Sequence, residues 1–311
     1  MYKGTGVHHV AIGVKSLKTM KSFYQGVLEF TDVFGEFPET EHEAMNEVLR
    51  MSPVVFKGIM FNQGAGGISV ELIQMTNPVP RAIRKDFRYG DIGVAKISVA
   101  VSDVERLYGD FKGRIDFCSE PKLVSIPGWG DYPFVYCRDP EGNLIEFLSG
   151  VNLPVPNRFG GARWIGISVT DLQRSKPFYQ QYFGLDRVVI ESHEGFSGLV
   201  DEISGGSHTR VRSCVLANSK GGGMLELFEV LEPRGRSIPF AANWGDFGYL
   251  QVCFYCDNIH EMAAYFEKEG VEFLTRIKTI DDGRPEHAGS FIYFKDPDGI
   301  PVETMVLHHQ G

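Results

Sequence analysis

The order of apolar and polar residues repeats four times along this chain. Residues 9–14, HVAIGV, alternate between larger apolar side chains and small or polar ones, which is the pattern of a strand with one buried face. After Ser16, a residue type that favours helix starts, apolar residues recur at the helical spacing 17, 20, 23, 24, 27 and 28. Several short strands separated by turns follow. Each repeat is predicted to be a βαβββ module, and the approximate spans are 5–77, 92–150, 162–231 and 248–308.

Two pairs of segments indicate that the second half of the chain repeats the first. SLKTMKSFYQ at 16–25 matches DLQRSKPFYQ at 171–180, and YCRDPEGNLIE at 136–146 matches YFKDPDGIPVE at 293–303. The offset is 155 residues for the first pair (16 to 171) and 157 for the second (146 to 303). A fixed offset indicates a duplicated architecture, so a site in one half should have a counterpart in the other. We expect two halves, 1–150 and 162–311, joined by a linker at 151–161.

Composition narrows the class of protein. The 311 residues are 43% hydrophobic and 23% charged, as in ordinary globular proteins, and the net charge is −9. The acidic balance and the lack of a basic patch argue against nucleic acid or an anionic membrane as a partner. The N-terminus has no apolar signal-peptide core, and no apolar run approaches the roughly 18 residues that span a bilayer. We expect a cytoplasmic protein, monomeric or homodimeric, whose partner is a small-molecule substrate.

The cysteines predict free thiols rather than disulfides. There are five, an odd number spread through the chain, which is typical of a reducing compartment. Cys253 and Cys256 have the C-x-x-C spacing of redox and zinc motifs. They lie in a predicted strand, however, where residues three apart point to opposite faces. We therefore interpret both as small buried residues.

Three features together resemble one protein superfamily. They are the four βαβββ modules, the D-P-x-G-x-x-x-E segments at 139–146 and 296–303, and the VHHVAI opening at 7–12. They resemble the vicinal oxygen chelate superfamily, which includes glyoxalase I, methylmalonyl-CoA epimerase, extradiol ring-cleavage dioxygenases and bleomycin-resistance proteins. The resemblance covers almost the whole chain. It implies an α+β fold in which four βαβββ modules pair into two U-shaped mixed sheets with flanking helices.

The resemblance also implies that two paired modules cup one divalent metal ion, with ligands from the first and last strands of each module. The first-strand positions in this sequence are His9, Lys96, Trp164 and Gln251. The last-strand positions are Glu71, Glu146, Glu226 and Glu303. A protonated lysine has no lone pair to offer and an indole N–H is only a donor, so Lys96 and Trp164 cannot be ligands.

The pairing of the modules decides whether a complete site exists. If neighbouring modules pair, each cup contains one non-ligating residue. If module one pairs with module four, as in fused members of the family, one cup is complete, with the metal ligands His9, Glu71, Gln251 and Glu303. The other cup is then predicted not to bind metal. Two arrangements of that cup are possible. Either the Lys96 ammonium lies between Glu146 and Glu226, where its charge would offset the cost of burying the two carboxylates, or all three groups are exposed.

The complete set contains one imidazole, one amide oxygen and two carboxylates. Such mixed nitrogen and oxygen donors suit a divalent zinc, nickel, cobalt, manganese or iron ion. Strand alternation places Ala11 and Gly13 on the face of His9, and these small neighbours leave room for an ion and a substrate. Any one of these residues alone would be interpreted as an ordinary core histidine or rim glutamate. Four of them at matched positions favour a site.

The predicted function is that of a glyoxalase-type lyase, isomerase or epimerase, acting on a small substrate that chelates the metal through vicinal oxygens. The ion would act as a Lewis acid, and Glu71 or Glu303 would move a proton from carbon to carbon. One alternative is an extradiol-type dioxygenase, although iron sites of that kind favour two histidines and one carboxylate. Another is a non-catalytic protein that sequesters a ligand. His287, in the polar loop 283–289, is either a substrate-binding residue at the mouth of the cup or a solvated loop histidine.

Overall fold

All four predicted modules are present in the computed structural model, which describes residues 2–64, 67–150, 152–153, 155, 157–238, 242–280 and 288–308, without the side chains of 193–196. Module one contains β1 (Gly4–Gly13), α1 (Leu17–Gly26), β2 (Asp32–Glu41), α2 (Glu43–Leu49), β3 (Val55–Asn62) and β4 (Ser69–Asn77). Module two contains β5 (Gly93–Val101), α3 (Val104–Phe111), β6 (Asp116–Phe117), β7 (Lys122–Ile126), β8 (Gly130–Arg138) and β9 (Leu144–Leu148). Module three contains β10 (Phe159–Ser168), α4 (Leu172–Phe183), β11 (Arg187–Ser197), α5 (Asp201–Ser204), β12 (Arg210–Ala217) and β13 (Met224–Glu232). Module four contains β14 (Gly248–Cys256), α6 (Ile259–Lys268), β15 (Lys278–Ile280), β16 (Gly289–Lys295) and β17 (Pro301–Leu307).

The βαβββ pattern omits three short elements. Helices α2 and α5 follow the first of the later strands in modules one and three, and the two-residue strand β6 precedes β7. Helix α2 has seven residues, of which only Met45 is buried, and α5 has four. Helical periodicity needs about three turns to be read from a sequence, so such short helices leave no recognisable pattern.

The strands form two sheets, and each sheet combines modules from the two halves of the sequence. The first sheet has the order β15-β16-β17-β14-β1-β4-β3-β2 and is called the first cup. The second has the order β11-β12-β13-β10-β5-β9-β8-β6, with β7 paired to β8, and is called the second cup. The central pairs, β1 with β14 and β10 with β5, are antiparallel. The α+β fold and the pairing of module one with module four are therefore confirmed, while the division into halves at 151–161 stays a prediction.

The D-P-x-G segments form turns, and they connect neighbouring modules. The Asp139 carboxylate accepts the backbone N–H groups of Glu141 and Asn143, and the Asp296 carboxylate does the same for its own turn. Glu141 in turn accepts the backbone N–H groups of Lys15 and Ser16, at the start of α1. These contacts attach the N-terminal end of the module-one helix to the turn of module two.

The inner face of the first cup is apolar. Buried side chains from both of its modules and from the segment before β14 line it, and they include Ala11, Met45, Phe56, Met75, Trp244 and Leu250. The helices pack against the other faces of the sheets through a larger cluster. Within the described ranges, no helix is long and apolar enough to cross a membrane.

Candidate metal centre

The four residues that the sequence predicts as ligands converge at the base of the first cup. Glu303, Gln251, His9 and Glu71 lie on β17, β14, β1 and β4, which are four adjacent strands. His9 Nε2 lies 3.2 Å from Glu303 Oε2 and 3.7 Å from Glu71 Oε2. Gln251 Nε2 donates a hydrogen bond to Glu303 Oε2 at 2.6 Å. Their side chains are almost completely buried. The structure therefore gathers the four side chains around His9, although Glu71 is not among the donors that lie within 4.8 Å of one another, and whether they bind metal stays a prediction.

The amide of Gln251 provides a test of whether these residues fit an ion. Its Nε2 also donates to the Tyr293 hydroxyl at 2.9 Å, while its Oε1 has no hydrogen-bond partner in the described part of the chain. A buried acceptor without a partner costs about 1–3 kcal/mol. An amide oxygen is also a suitable donor to a divalent cation. One imidazole nitrogen, this amide oxygen and two carboxylates are donor types that can coordinate a divalent ion. The chemistry of these residues therefore fits a metal site.

Burial and mutual charge shift the acid–base properties of the cluster. Burial raises the pKa of Glu71 to about 7, the positive charge of His9 opposes this rise, and the charge of Glu303 adds to it. For His9, burial lowers the pKa, but the hydrogen bond and charge of Glu303, together with the charge of Glu71, outweigh this and raise it above its usual value. The cluster thus contains a carboxyl group that changes protonation state near neutral pH.

His8 holds the imidazole of His9, a contact that the alternation of a regular strand does not predict. The Nδ1 atoms of His8 and His9 are 2.9 Å apart. Burial lowers the pKa of His8 to about 3, so His8 is neutral and can accept the Nδ1 proton of His9. Nε2, on the other side of the ring, faces the carboxylates and carries the proton of its hydrogen bond to Glu303 in the metal-free cluster; once that proton is lost, its lone pair would be free for an ion. The register of β1 against β14 shifts between Val7 and His9, and this irregularity allows neighbouring rings to meet.

Cys253 is a second neighbour that the sequence interpretation missed. The interpretation is correct that it is buried and forms no disulfide. Its Sγ atom and donor atoms of His9 and Glu303, however, all lie within 4.8 Å of one another. The available signal was its position two residues after Gln251, which places both on the same face of β14. Cys256, on the opposite face, packs in the apolar core as predicted.

The second cup contains an internal cation in the place of a metal site. The Lys96 ammonium lies 2.5 Å from Glu146 Oε2 and 2.8 Å from Glu226 Oε2, and all three side chains are buried. Burial lowers the pKa of Lys96, but the two carboxylates outweigh this and raise it above its usual value. Trp164 Nε1 donates to Glu226 Oε2 at 3.1 Å. The predicted placement of the ammonium between the glutamates is confirmed, and the alternative that these groups are exposed is wrong.

Gly166 makes room for this lysine. It pairs with Lys96 across β10 and β5, at the position that Ala11 occupies opposite Gln251 in the first cup. A Cβ atom on Gly166 would lie 2.7 Å from Lys96 Cγ, too close for two carbons. The longer lysine side chain in the second cup is thus accompanied by the loss of the opposing methyl group.

A cavity of about 800 Å³ lies beside the first cup. It is lined by residues from both halves, including Leu250, Trp244 and Tyr293 of the first cup and the two D-P-x-G turns. None of the four candidate ligands lines it, but Tyr293 connects it to Gln251 through its hydroxyl group. Its volume is within the range of small-molecule sites. His287, the candidate substrate-binding residue, lies outside the described residues.

Comparison with known proteins identifies the family. The sequence model of the Glyoxalase/Bleomycin resistance protein/Dioxygenase superfamily matches residues 6–147 and 161–304. The chain belongs to this superfamily. Lactoylglutathione lyase of Schizosaccharomyces pombe is 31% identical over 146 residues, which cover 45% of this chain and 45% of that protein. The chain thus aligns with less than half the length of this relative.

Two solved structures share the fold over nearly the whole chain. Glyoxalase I from Zea mays has a TM-score of 0.59 at 17% identity, covering 98% of this chain and 97% of that one. A candidate dioxygenase from Bacillus subtilis subsp. subtilis has a TM-score of 0.63 at 14% identity, covering 99% of this chain and 87% of that one. At these identities the similarity concerns the arrangement of the modules and not the reaction.

Proposed function

We propose that this protein is a divalent-metal-dependent lyase, isomerase or epimerase of the glyoxalase type, acting on a small substrate that presents vicinal oxygens. The observation that carries the proposal is the buried grouping of His9, Glu71, Glu303 and Gln251 at the base of an apolar cup, with a Gln251 amide oxygen that has no hydrogen-bond partner among the described residues. These residues would hold one zinc, nickel, cobalt, manganese or iron ion. When bound, the ion would supply a Lewis acid that polarises the substrate oxygens and makes a neighbouring carbon-bound proton easier to remove.

Glu71 is the residue that we assign as the general base. Glu303 accepts a hydrogen bond from Gln251 and pairs with His9, so its carboxylate is held from two sides. Among the described residues, Glu71 has only the longer 3.7 Å contact with His9, which leaves its carboxylate freer to move toward a substrate. Glu303 is the second candidate for this role.

The remaining residues orient and enclose the reacting groups. His8 fixes the ring of His9, and Tyr293 fixes the amide of Gln251. The apolar wall of the first cup excludes water, which strengthens electrostatic interactions at its base. The adjoining 800 Å³ cavity offers space for the part of the substrate that lies away from the vicinal oxygens.

The choice of proton transfer over oxygen activation rests on the donor set. Among the described residues, only one histidine belongs to the converging donor set, whereas non-haem iron oxygenases typically use two histidines and one carboxylate. The partial similarity to a lactoylglutathione lyase points in the same direction. The identity of the metal, the cytoplasmic location and the monomeric or homodimeric state stay predictions.

The test follows proton exchange rather than product formation. Purified protein would be incubated in deuterated water under argon with α-hydroxy thioesters, beginning with lactoylglutathione, and exchange of the carbon-bound proton beside the carbonyl would be followed by NMR. We expect exchange without oxygen, and a loss of roughly 10²-fold or more in Glu71→Gln because the base is removed. Glu39→Gln, on the exposed strand β2 of the same module, is the control and should exchange normally. Activity that strictly requires oxygen would refute the proposal.

A further inference from the structure

We propose that Cys253 is an additional protein ligand of the ion in the first cup, through its Sγ atom. This inference rests on the proposed function, since it assumes that the cup holds a divalent ion. The converging residues then provide five donors, of which one is a soft sulfur atom. Neither the four matched positions nor the C-x-x-C spacing assigns this role to Cys253.

The distances support a shared ion. Cys253 Sγ and donor atoms of His9 and Glu303 lie within 4.8 Å of one another, and no other group of three such donors is this close in the part of the chain described. Typical bond lengths to zinc are about 2.3 Å for sulfur and about 2.0–2.1 Å for nitrogen or oxygen. Two donors on one ion are therefore at most about 4.4 Å apart, so a small side-chain adjustment suffices.

The strand position of Cys253 also directs it toward the last-strand glutamate. In each module the residue two places after the first-strand position shares its face, and in the four modules these residues are Ala11, Ser98, Gly166 and Cys253. In the second cup, Ser98 Oγ donates to Glu146 Oε2 at 2.5 Å. A side chain with a polar atom at this position thus reaches the carboxylate of its own module. Cys253 has the same relation to Glu303.

An independent observation is that one buried oxygen atom of this cluster has no hydrogen-bond partner in the part of the chain described. The Gln251 side chain is completely buried and donates to Glu303 through Nε2, while its Oε1 has no hydrogen-bond partner among the residues described. A cation coordinated by the thiolate, the imidazole and the carboxylate would also satisfy this oxygen. The second cup needs no such ion, because Lys96 already supplies the positive charge.

A sulfur ligand has a measurable consequence for metal preference. Thiolates favour borderline and soft ions such as zinc and cadmium over manganese and magnesium, which prefer oxygen donors. Removing the sulfur should therefore weaken cadmium binding far more than manganese binding. We expect at least a tenfold loss for cadmium, the lower end of the roughly 10–100-fold losses seen when even an outer partner of a metal ligand is removed.

The decisive readout is optical and needs no substrate. Metal-free protein would be titrated with Co²⁺, and the visible bands of bound cobalt and the near-ultraviolet sulfur-to-cobalt charge-transfer band would be recorded together. The wild type should show both. Cys253→Ser and Cys253→Ala should keep the visible bands and lose the charge-transfer band. The matched control is Cys256→Ser, a buried cysteine on the opposite face of the same strand, which should keep both bands.

The possible outcomes separate this inference from the proposed function. Bound cobalt without a charge-transfer band in the wild type overturns the role of Cys253 and leaves the metal site intact. A charge-transfer band that persists in Cys253→Ala overturns it as well. If no cobalt binds to the wild type at all, the proposed metal-dependent function fails together with the inference. The wild-type spectrum alone decides the question if a Cys253 variant does not fold.

Discussion

Replacement of Lys96 by methionine should destabilise the protein by about 3–5 kcal/mol at neutral pH. Methionine keeps an unbranched side chain but removes the ammonium group that lies 2.5 Å from Glu146 and 2.8 Å from Glu226. Breaking a buried ion pair costs this much because the remaining charges have neither water nor a counter-ion. Hydrogen bonds from Tyr136 and Trp164 to the two carboxylates persist, so we expect the lower end of the range.

Urea unfolding of the wild type and the variant, followed by circular dichroism, measures this loss. The matched control is Lys21→Met, which removes an ion pair with Glu36 at the surface, where the lysine side chain is 38% exposed and the glutamate 61%. Exposed pairs contribute about 0.2–1 kcal/mol, so this control should change the unfolding free energy by no more than that. Similar losses in Lys96→Met and Lys21→Met would refute the conclusion that the internal cation stabilises the second cup.

The stability deficit of Lys96→Met should also depend on pH in a definite direction. Burial already raises the pKa of Glu226 in the wild type, and loss of Lys96 should raise it further. A carboxyl group whose folded-state pKa exceeds its unfolded value destabilises the protein increasingly as the pH rises above the unfolded value. The stability deficit of Lys96→Met should therefore be smaller at about pH 5 than at about pH 7.5. A deficit that grows on acidification would contradict this explanation.

Three further predictions concern the two cups. His9→Ala and Glu303→Ala should lose bound metal on dialysis because the coordination shell is incomplete, whereas Lys96→Ala should retain it. Elemental analysis measures the metal content, and equal loss from all three variants would exclude the assignment of His9 and Glu303 as ligands. In metal-free protein, the raised pKa of Glu71, about 7, means that the stability of the wild type relative to Glu71→Gln should fall as the pH rises from the unfolded value near 4.5 towards 7, and excess zinc should flatten this slope; a difference that rises with pH in urea titrations would be inconsistent. The double variant Lys96→Gln with Trp164→His restores ligand types in the second cup and should bind a second ion per chain, and a stoichiometry that stays at one would argue against the equivalence of the cups.

The parts of the site that could be predicted depend on regular strand geometry and duplication. The resemblance implied ligands at the first-strand and last-strand positions, which are His9, Gln251, Glu71 and Glu303 in modules one and four, and the offsets of 155 and 157 residues between the halves agree with this assignment. Because Lys96 and Trp164 cannot coordinate a metal, the resemblance favoured pairing of module one with module four. The observed sheet order confirms that pairing.

The parts that could not be predicted depend on departures from regularity or on contacts across strands. The contact between His8 and His9 requires a local register shift in β1, and such a shift arises from strand pairing rather than from residue order. Cys253 has the burial expected of a small core residue, and although its position two residues after Gln251 places it on the same face of β14, its contacts with His9 and Glu303 depend on the pairing of β14 with β1 and β17. Which donor groups Cys253 contacts thus depends on strand pairing, and residue order alone does not give that pairing.

A crystal of the wild-type protein grown with Zn²⁺, with diffraction recorded on both sides of the zinc absorption edge, tests the central claim most directly. The anomalous difference map should contain one strong peak per chain, in contact with His9 Nε2, Glu71, Glu303 and the amide oxygen of Gln251. The second cup should contain none, because the Lys96 ammonium already lies between its glutamates. A map without a peak at His9, or with a peak in the second cup instead, would contradict the assignment of the metal centre and the function proposed from it.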